Sequence, residues 1–171
     1  YILYLLNKME PTNSGKMKLN KVAFFVEFGY FYKNQRELST AKYAGITYGP
    51  VIDDYDPLLK DMEKSGSIKI DRNLVRPLRA SSIKVPTEIK EVIDPLIDKY
   101  SSLSLGELVA LSHLTDSYKI TTSNEKVMGN LIDKNLASLE TFFGENGDEE
   151  EIDERTLPKF NQKALVEYEA R

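Results

Sequence analysis

Residues 16–33 read KMKLNKVAFFVEFGYFYK, and the other predicted elements are arranged around this stretch. Apolar residues recur at helical spacing on one side of it, and a second apolar set covers the other side. The first set is Leu19, Val22, Ala23, Val26 and Tyr30, and the second is Phe24, Phe25, Phe28, Phe31 and Tyr32. Because a helix that is apolar on nearly all sides is buried, we predict a central core helix. Its polar residues Lys18, Asn20, Lys21, Glu27 and Lys33 are expected to form a thin exposed stripe.

This helix is not predicted to enter a membrane. Its longest apolar run, residues 22–26, has five residues before Glu27 interrupts it, whereas a membrane span needs about 20. We therefore expect no membrane partner. The chain of 171 residues fits one domain, or a domain with an extension. A domain of this size buries enough surface to fold without disulfides or a metal.

The chain contains no cysteine and one histidine. This composition excludes thiolate nucleophiles, disulfides, and zinc sites built on cysteine or paired histidines. We predict no metal, no cofactor and no catalytic residue. The lack of cysteine also suits a cytoplasmic protein, which is the expected location.

Charge is distributed unevenly along the chain. The net charge is −4, but residues 145–155 contain seven acids and one base, so this segment carries −6 and the remainder +2. Because the remainder has no basic stripe, we expect these residues not to bind nucleic acid directly. We predict a helical domain at 1–143, an acidic linker at 144–155 and a C-terminal helix at 156–171. That helix is expected to dock on the domain or to bind a partner.

Local signals predict a mainly α (α+β) fold: a compact multi-helix domain with one small β-hairpin near residues 67–76. Helices are predicted over 1–9, 16–35, from Pro50 to Ser65, from Pro86 to Tyr100, over 105–114 and over 123–143. Ser104 and Glu107 have the spacing of a capping box, which marks a helix start.

The segment Tyr48-Gly-Pro-Val51 is predicted to open a helix. Glycine permits a tight turn and proline suits the first helical position, while Asp53 and Asp54 favour the first helical turn. A loop that presents Tyr48 to a partner is a second, compatible interpretation.

The single histidine stands in Leu111-Ser-His113, near a predicted helix end. A histidine there is usually structural, because the helix dipole or a carbonyl favours it. Ser112, His113 and Asp116 are also the residue types of a hydrolase catalytic triad. Triads are recognised by spatial geometry and not by closeness in sequence, so we predict a structural role.

Three segments resemble the Panacea domain, also called the SocA-like antitoxin domain, of bacterial and phage proteins. Residues 18–25 are similar to the family's Leu-x-Lys-Leu-Leu-Tyr/Phe-Phe helix, and Tyr48-Gly-Pro-Val51 follows at the usual distance. Leu111-Ser-His113 resembles the family's Leu-Ser-His element, and Tyr118 stands where an aromatic, commonly tryptophan, is usual. The resemblance spans roughly residues 1–132.

The resemblance implies a protein-interaction domain, not an enzyme, that binds and neutralises a cognate toxin encoded by the neighbouring gene. Two alternatives stay open. One is an adaptor that delivers the toxin to the ClpXP protease, and the other is a transcriptional regulator whose DNA-binding region lies upstream of Tyr1. The candidate interaction residues are Tyr48, Gly49, Pro50, Val51, Ser112, His113 and Tyr118. We expect Tyr48, His113 and Tyr118 to lie near one another, and we favour a role for them in folding.

Overall fold

A computed structural model describes residues 1–144. The α-helices are α1 (Ile2–Lys8), α2 (Lys16–Asn34), α3 (Tyr55–Lys64), α4 (Thr87–Ser102), α5 (Leu105–Leu114) and α6 (Asp116–Thr121), and 3₁₀ helices cover Pro11–Asn13 and Lys134–Leu139. The strands are β1 (Tyr43–Ile46), β2 (Gly49–Ile52), β3 (Ile68–Asp71), β4 (Leu74–Pro77) and β5 (Leu131–Ile132). The predicted α+β class is confirmed. The predicted C-terminal helix, and the predicted acidic linker beyond Gly144, lie outside the described residues.

Helix α2 is the centre of the core, as predicted. It packs against α1, α4, α5, β2 and the 3₁₀ helix Lys134–Leu139. Its residues are buried without interruption from Met17 to Phe31. The ring of Phe25 stacks on that of Tyr100 with 4.4 Å between centroids, a favourable offset geometry for aromatic pairs. Aromatic contacts on two sides of α2 therefore join it to both α4 and the sheet, since Phe24 contacts Tyr43 of β1.

The predicted exposed stripe of α2 is wrong, because its polar residues are almost all buried. Lys18, Asn20, Lys21 and Glu27 are at most 7% exposed, and Lys33 alone among the five lies at the surface. A buried polar group is costly unless it is hydrogen-bonded. Each of the four is bonded to a segment outside α2, as Lys18 is to Asn13. The amphipathic pattern could not show this, because the partners are distant in sequence.

Glu27 connects α2 to two other segments at once. Its carboxylate accepts hydrogen bonds from the backbone N–H groups of Leu38 and Ser39 at 3.2 and 3.0 Å, and from the Ser39 hydroxyl. The ammonium group of Lys134 donates to the same carboxylate at 2.9 Å and to the Ser39 carbonyl at 2.6 Å. A buried ion pair is tolerated when further hydrogen bonds satisfy both partners, as they do here.

The predicted hairpin near residues 67–76 is confirmed as β3 and β4, which pair antiparallel. Two isolated strands are marginally stable in water, so the hairpin needs support from the helices. Ser14, just before α2, supplies it: its hydroxyl donates to the Val75 carbonyl at 2.7 Å, and its own carbonyl accepts from Val75 N–H. The hairpin is thereby attached to the start of the central helix.

Gly49 and Pro50 do not open a helix, contrary to the prediction. They begin strand β2, which pairs with β1 through a two-residue turn at Thr47 and Tyr48. Helix α3 starts later, at Tyr55. Gly49 has a φ of +85°, a backbone conformation open to glycine. Pro50 is tolerated because β2 is an edge strand of the sheet ordered β2-β1-β5.

The helix predicted over residues 123–143 is also absent from the fold. Its place is taken by a turn, strand β5 and the 3₁₀ helix Lys134–Leu139. Strand β5 pairs with β1, and Asp133 caps the 3₁₀ helix by accepting from Asn135 N–H at 2.9 Å. The apolar spacing in this segment therefore reflects contacts with the sheet and α2, not one continuous helical face.

Glu140 attaches the last described segment of the chain to α6. Its buried carboxylate accepts from the N–H groups of Asp116 and Ser117 at 2.8 and 2.9 Å, at the first turn of α6. In return, Asp116 accepts from the N–H and hydroxyl of Thr141, at 3.0 Å each. Unsatisfied N–H groups at a helix start attract acids, and here the acid comes from a segment far along the chain.

The Glu27–Lys134 pair gives a stability prediction. Lys134→Met removes the cation but leaves a fully buried carboxylate, so we expect the free energy of unfolding to fall by about 3 kcal/mol. Lys64→Met is the control, because the Lys64–Asp61 pair is exposed on both sides and should contribute about 0.5 kcal/mol or less. Urea denaturation followed by circular dichroism measures both. Equal losses for the two variants would contradict a structural role for the buried pair.

Candidate functional site

Three segments that are far apart in sequence meet beside strand β2. We call this cluster the motif junction and define it as Lys21, Gly49, Pro50, Ser112 and His113. The Lys21 ammonium nitrogen donates to the Pro50 carbonyl at 2.7 Å. A Cβ atom placed on Gly49 would clash with Ser112 Oγ and would lie 3.0 Å from Lys21 Nζ and 3.3 Å from His113 Cδ2. The missing side chain of Gly49 thus allows the helices α2 and α5 to approach the hairpin backbone.

Lys21 is the most unusual group of the junction. Its side chain is fully buried, and this burial lowers the pKa of Lys21 well below its usual range. The hydrogen bond to the Pro50 carbonyl fixes the position of the nitrogen whether or not it carries a charge. Lys21 therefore connects the central helix to the β1–β2 hairpin.

His113 lies in the last turn of α5, where the sequence predicted it. Its ring lies 4.8 Å from that of Tyr118, between centroids, and its Nδ1 is 2.8 Å from Glu125 Oε1. Its Nε2 is buried and has no hydrogen-bond partner within residues 1–144. Burial is the main cause that lowers the pKa of His113; the Glu125 carboxylate opposes this shift, and the Lys21 charge adds to it.

The other predicted site residues lie around the junction. Tyr118 is fully buried, and its hydroxyl donates to the Ile46 carbonyl at 2.7 Å, at the end of β1. Val51 is buried in β2 opposite Ala44. Tyr48 is half-buried in the hairpin turn, one residue before Gly49. The structure thus brings Gly49, His113 and Tyr118 together, and the shared role of Tyr48 with them stays a prediction.

Glu125 reaches His113 through an uncommon backbone turn. Ser123, Asn124 and Glu125 have φ angles of 50°, 55° and 67°, three successive left-handed residues without a glycine. Such conformations are unfavourable for residues with side chains and concentrate at functional sites. Hydrogen bonds hold the turn: Asn124 N–H donates to the Lys119 carbonyl and Glu125 N–H to the Thr122 hydroxyl.

The sequence did not single out Lys21 or Glu125 as site residues. Lys21 lies within residues 18–25, so the resemblance offered a signal for it, but the helical pattern assigned it to an exposed stripe. Glu125 offered no signal, because its position depends on a turn that the predicted helix over 123–143 excluded.

The hydrolase alternative finds no support in the hydrogen bonds of its three residues. Ser112 donates to the Val109 carbonyl, His113 pairs with Glu125, and Asp116 accepts from Thr141. A triad requires the base to bond both the nucleophile and the orienting acid. Within the described part of the chain, no group of three or more potential metal-ligating side chains is present either.

Gly49 allows a sharp test of the packing at the junction. Gly49→Ala must place a methyl group where Ser112 Oγ and Lys21 Nζ lie, so we expect it to lower the free energy of unfolding by about 3 kcal/mol. Gly66→Ala is the control, because Gly66 also has a positive φ but no heavy atom within 4 Å of its Cβ position; it should cost about 1 kcal/mol.

A second substitution distinguishes steric conflict from backbone strain. Ser112→Ala, added to Gly49→Ala, should recover part of the lost stability, because it removes the nearest conflicting atom. Thermal denaturation of the four proteins measures the effect. If the Gly49 and Gly66 variants lost equal stability, the proposed close packing would be wrong.

The lowered pKa of His113 predicts that the stability of the fold depends on pH. Because its folded pKa lies below the ordinary value of 6.5, the unfolded chain binds the proton more readily. The histidine's contribution to stability is complete above pH 6.5 and is lost as the pH falls towards the folded pKa. We therefore expect His113→Gln to flatten the stability profile below about pH 6.5, where the wild-type histidine loses its contribution.

Direct titration by NMR is straightforward, since His113 is the only histidine in the chain. Its apparent pKa should lie below 6.5 and should fall further in Glu125→Gln, where the opposing carboxylate is gone. A pKa at or above 6.5, or one that rises in Glu125→Gln, would contradict the assigned electrostatics.

Comparison with known proteins identifies the family to which this chain belongs. A family model described as "Antitoxin SocA-like, Panacea domain" matches residues 19–119, more than half of the chain. No curated protein and no solved structure matches the chain. The matched region contains α2 from Leu19 onward, the β1–β2 hairpin and α5, and it includes every residue of the motif junction. The chain therefore belongs to the SocA-like antitoxin family and carries its Panacea domain.

Proposed function

We propose that this protein is the antitoxin of a two-gene toxin–antitoxin system and that it neutralises a cognate protein toxin by binding it. The family match over residues 19–119 carries this proposal, because a SocA-like antitoxin domain implies a toxin partner. We further propose that it acts without enzymatic turnover. The hydrogen bonds of Ser112, His113 and Asp116 support this, since each leads to a structural partner.

The proposed toxin-binding surface is the segment that follows the motif junction. It contains four partly or largely exposed apolar side chains: Ile120, Val127, Met128 and Leu131, which are 36–55% exposed. Exposed apolar residues that cluster on a soluble domain mark interaction sites. Glu125 lies within this segment and pairs with His113, so the segment contacts the motif junction.

The backbone of this surface is held in place before a partner arrives. Val127 N–H donates to the Thr122 carbonyl at 2.9 Å, Gly129 N–H donates to the Gly45 carbonyl at 2.7 Å, and Gly45 N–H donates to the Asn130 carbonyl at 3.0 Å. A surface that is already ordered loses little conformational entropy on binding, which favours affinity. In this proposal the motif junction supports the binding surface and contributes few direct contacts.

Location and alternative activities belong to the same proposal. No helix in residues 1–144 is long and apolar enough to cross a membrane. We propose a cytoplasmic antitoxin. Delivery of the toxin to ClpXP and transcriptional regulation through an upstream DNA-binding region are the alternatives, and the experiment below separates them.

The test is co-expression of the protein with the product of its neighbouring gene. We expect growth rescue and co-purification of the two proteins. Ile120→Lys combined with Val127→Lys should weaken binding about 30-fold or more and abolish rescue, as expected for two central apolar contacts. Ile83→Lys is the matched control, because Ile83 is 71% exposed and lies outside the proposed surface; it should retain rescue.

Each alternative predicts a different result. Rescue that requires ClpXP, with loss of the toxin from the cell, would indicate delivery and not direct neutralisation. Rescue through reduced toxin mRNA would indicate transcriptional regulation. Failure to bind or to rescue would refute the antitoxin proposal. Equal loss of binding in the Ile120/Val127 and Ile83 variants would refute the assigned surface alone.

A further inference from the structure

A cleft of about 250 Å³ lies between α2 and α4, where the described chain ends. Lys33 of α2 and Lys99 of α4 line it, together with Leu96, Phe143 and Gly144. Its wall is partly apolar and it carries two exposed lysines. The toxin-binding surface proposed above does not include any of these residues.

Two phenylalanines fix the point where the chain leaves the domain. Phe142 is 3% exposed and its ring lies 5.7 Å from that of Phe25. Phe143 lies 6.0 Å from the Tyr32 ring, and the absence of a side chain at Gly29 leaves room for it beside Leu96. Gly144 is therefore held at the cleft.

The two lysines make the cleft electrostatically positive. Burial lowers the pKa of Lys99, and the charge of Lys33 lowers it further, so the two ammonium groups repel each other across the cleft. The chain that continues from Gly144 has the opposite charge. Residues 145–154 contain seven acids and no base.

The acidic residues are within reach of both lysines. An extended chain spans about 3.5 Å per residue, so residues 145–151 reach up to about 25 Å from Gly144. A tethered segment also has a high effective concentration at a nearby site, which lets weak contacts add up. We propose that the acidic residues 145–154 bind the cleft formed by Lys33 and Lys99 of the same chain.

This binding would be electrostatic and independent of toxin neutralisation. It would place two or more carboxylates between the ammonium groups and would cover the apolar wall at Leu96. Because the contacts are at the surface, they would weaken with salt: the screening length is about 10 Å at 0.1 M and about 3 Å at 1 M ionic strength.

The test uses a carbodiimide, which joins carboxylates directly to amines that they contact, on the full-length protein, followed by peptide mass spectrometry. We expect links from residues 145–154 to Lys33 and Lys99, but not to the exposed Lys69 and Lys84. The yield should fall about threefold or more between 0.1 and 1 M NaCl. Lys33→Gln should lower the yield at Lys99 by about threefold, because both lysines hold the segment.

Lys90→Gln is the matched control, since Lys90 is an exposed lysine of α4 outside the cleft; it should leave the Lys99 yield unchanged. Tethering without binding predicts yields that are insensitive to salt and to Lys33→Gln, and either finding would overturn the proposal. Mixing ¹⁵N-labelled and unlabelled protein adds a last check. In an equal mixture, mixed links between labelled and unlabelled chains that approach half of the total would show that a second copy supplies the acids, which would also overturn it.

Discussion

A helix that is buried on every side can carry polar residues only if other parts of the chain satisfy them, and α2 is such a helix. Its aromatic residues bury apolar area, but the hydrophobic effect is not directional. Hydrogen bonds are directional: Asn20 accepts from Ile52 N–H, Lys21 donates to the Pro50 carbonyl, and Glu27 accepts from the Lys134 ammonium group. The polar residues of α2 therefore determine which loop and which strand occupy each side of the central helix. A packing that separated Lys21 or Glu27 from these partners would leave a buried donor or carboxylate unsatisfied.

The same constraint explains why the family motifs lie next to one another in the structure. Lys21 donates a hydrogen bond to the Pro50 carbonyl, and Gly49 has no side chain to obstruct α5. His113 of α5 can therefore lie close to Gly49. The cluster is closely packed around Gly49, although His113 Nε2 has no hydrogen-bond partner within residues 1–144. Close packing of this kind suits the toxin-binding role that we propose.

The sequence predicted best those features that depend on local chemistry. The capping box of Ser104 and Glu107 forms both of its hydrogen bonds, and the β3–β4 hairpin lies where the alternation indicated. The errors share a different cause. Lys21 and Glu27 looked like an exposed stripe because their partners are distant residues, and Gly49-Pro50 looked like a helix start because strand pairing with β1 is not a local property. Glu125 was unpredictable for a third reason, since three left-handed residues in succession have no pattern in composition.

The bonds made by Lys134 and Glu140 have a consequence for what counts as one folding unit. The family match ends at residue 119, but a fragment with that end would lack the cation for Glu27, the acid that caps α6 and the ring of Phe142. The folded unit is thus longer than the region that the family model matches. During synthesis, the central helix lacks its buried counter-ion until more than a hundred residues after Glu27 have been made. The core around Glu27 is therefore completed only after the toxin-binding surface proposed for residues 120–131 has been synthesised.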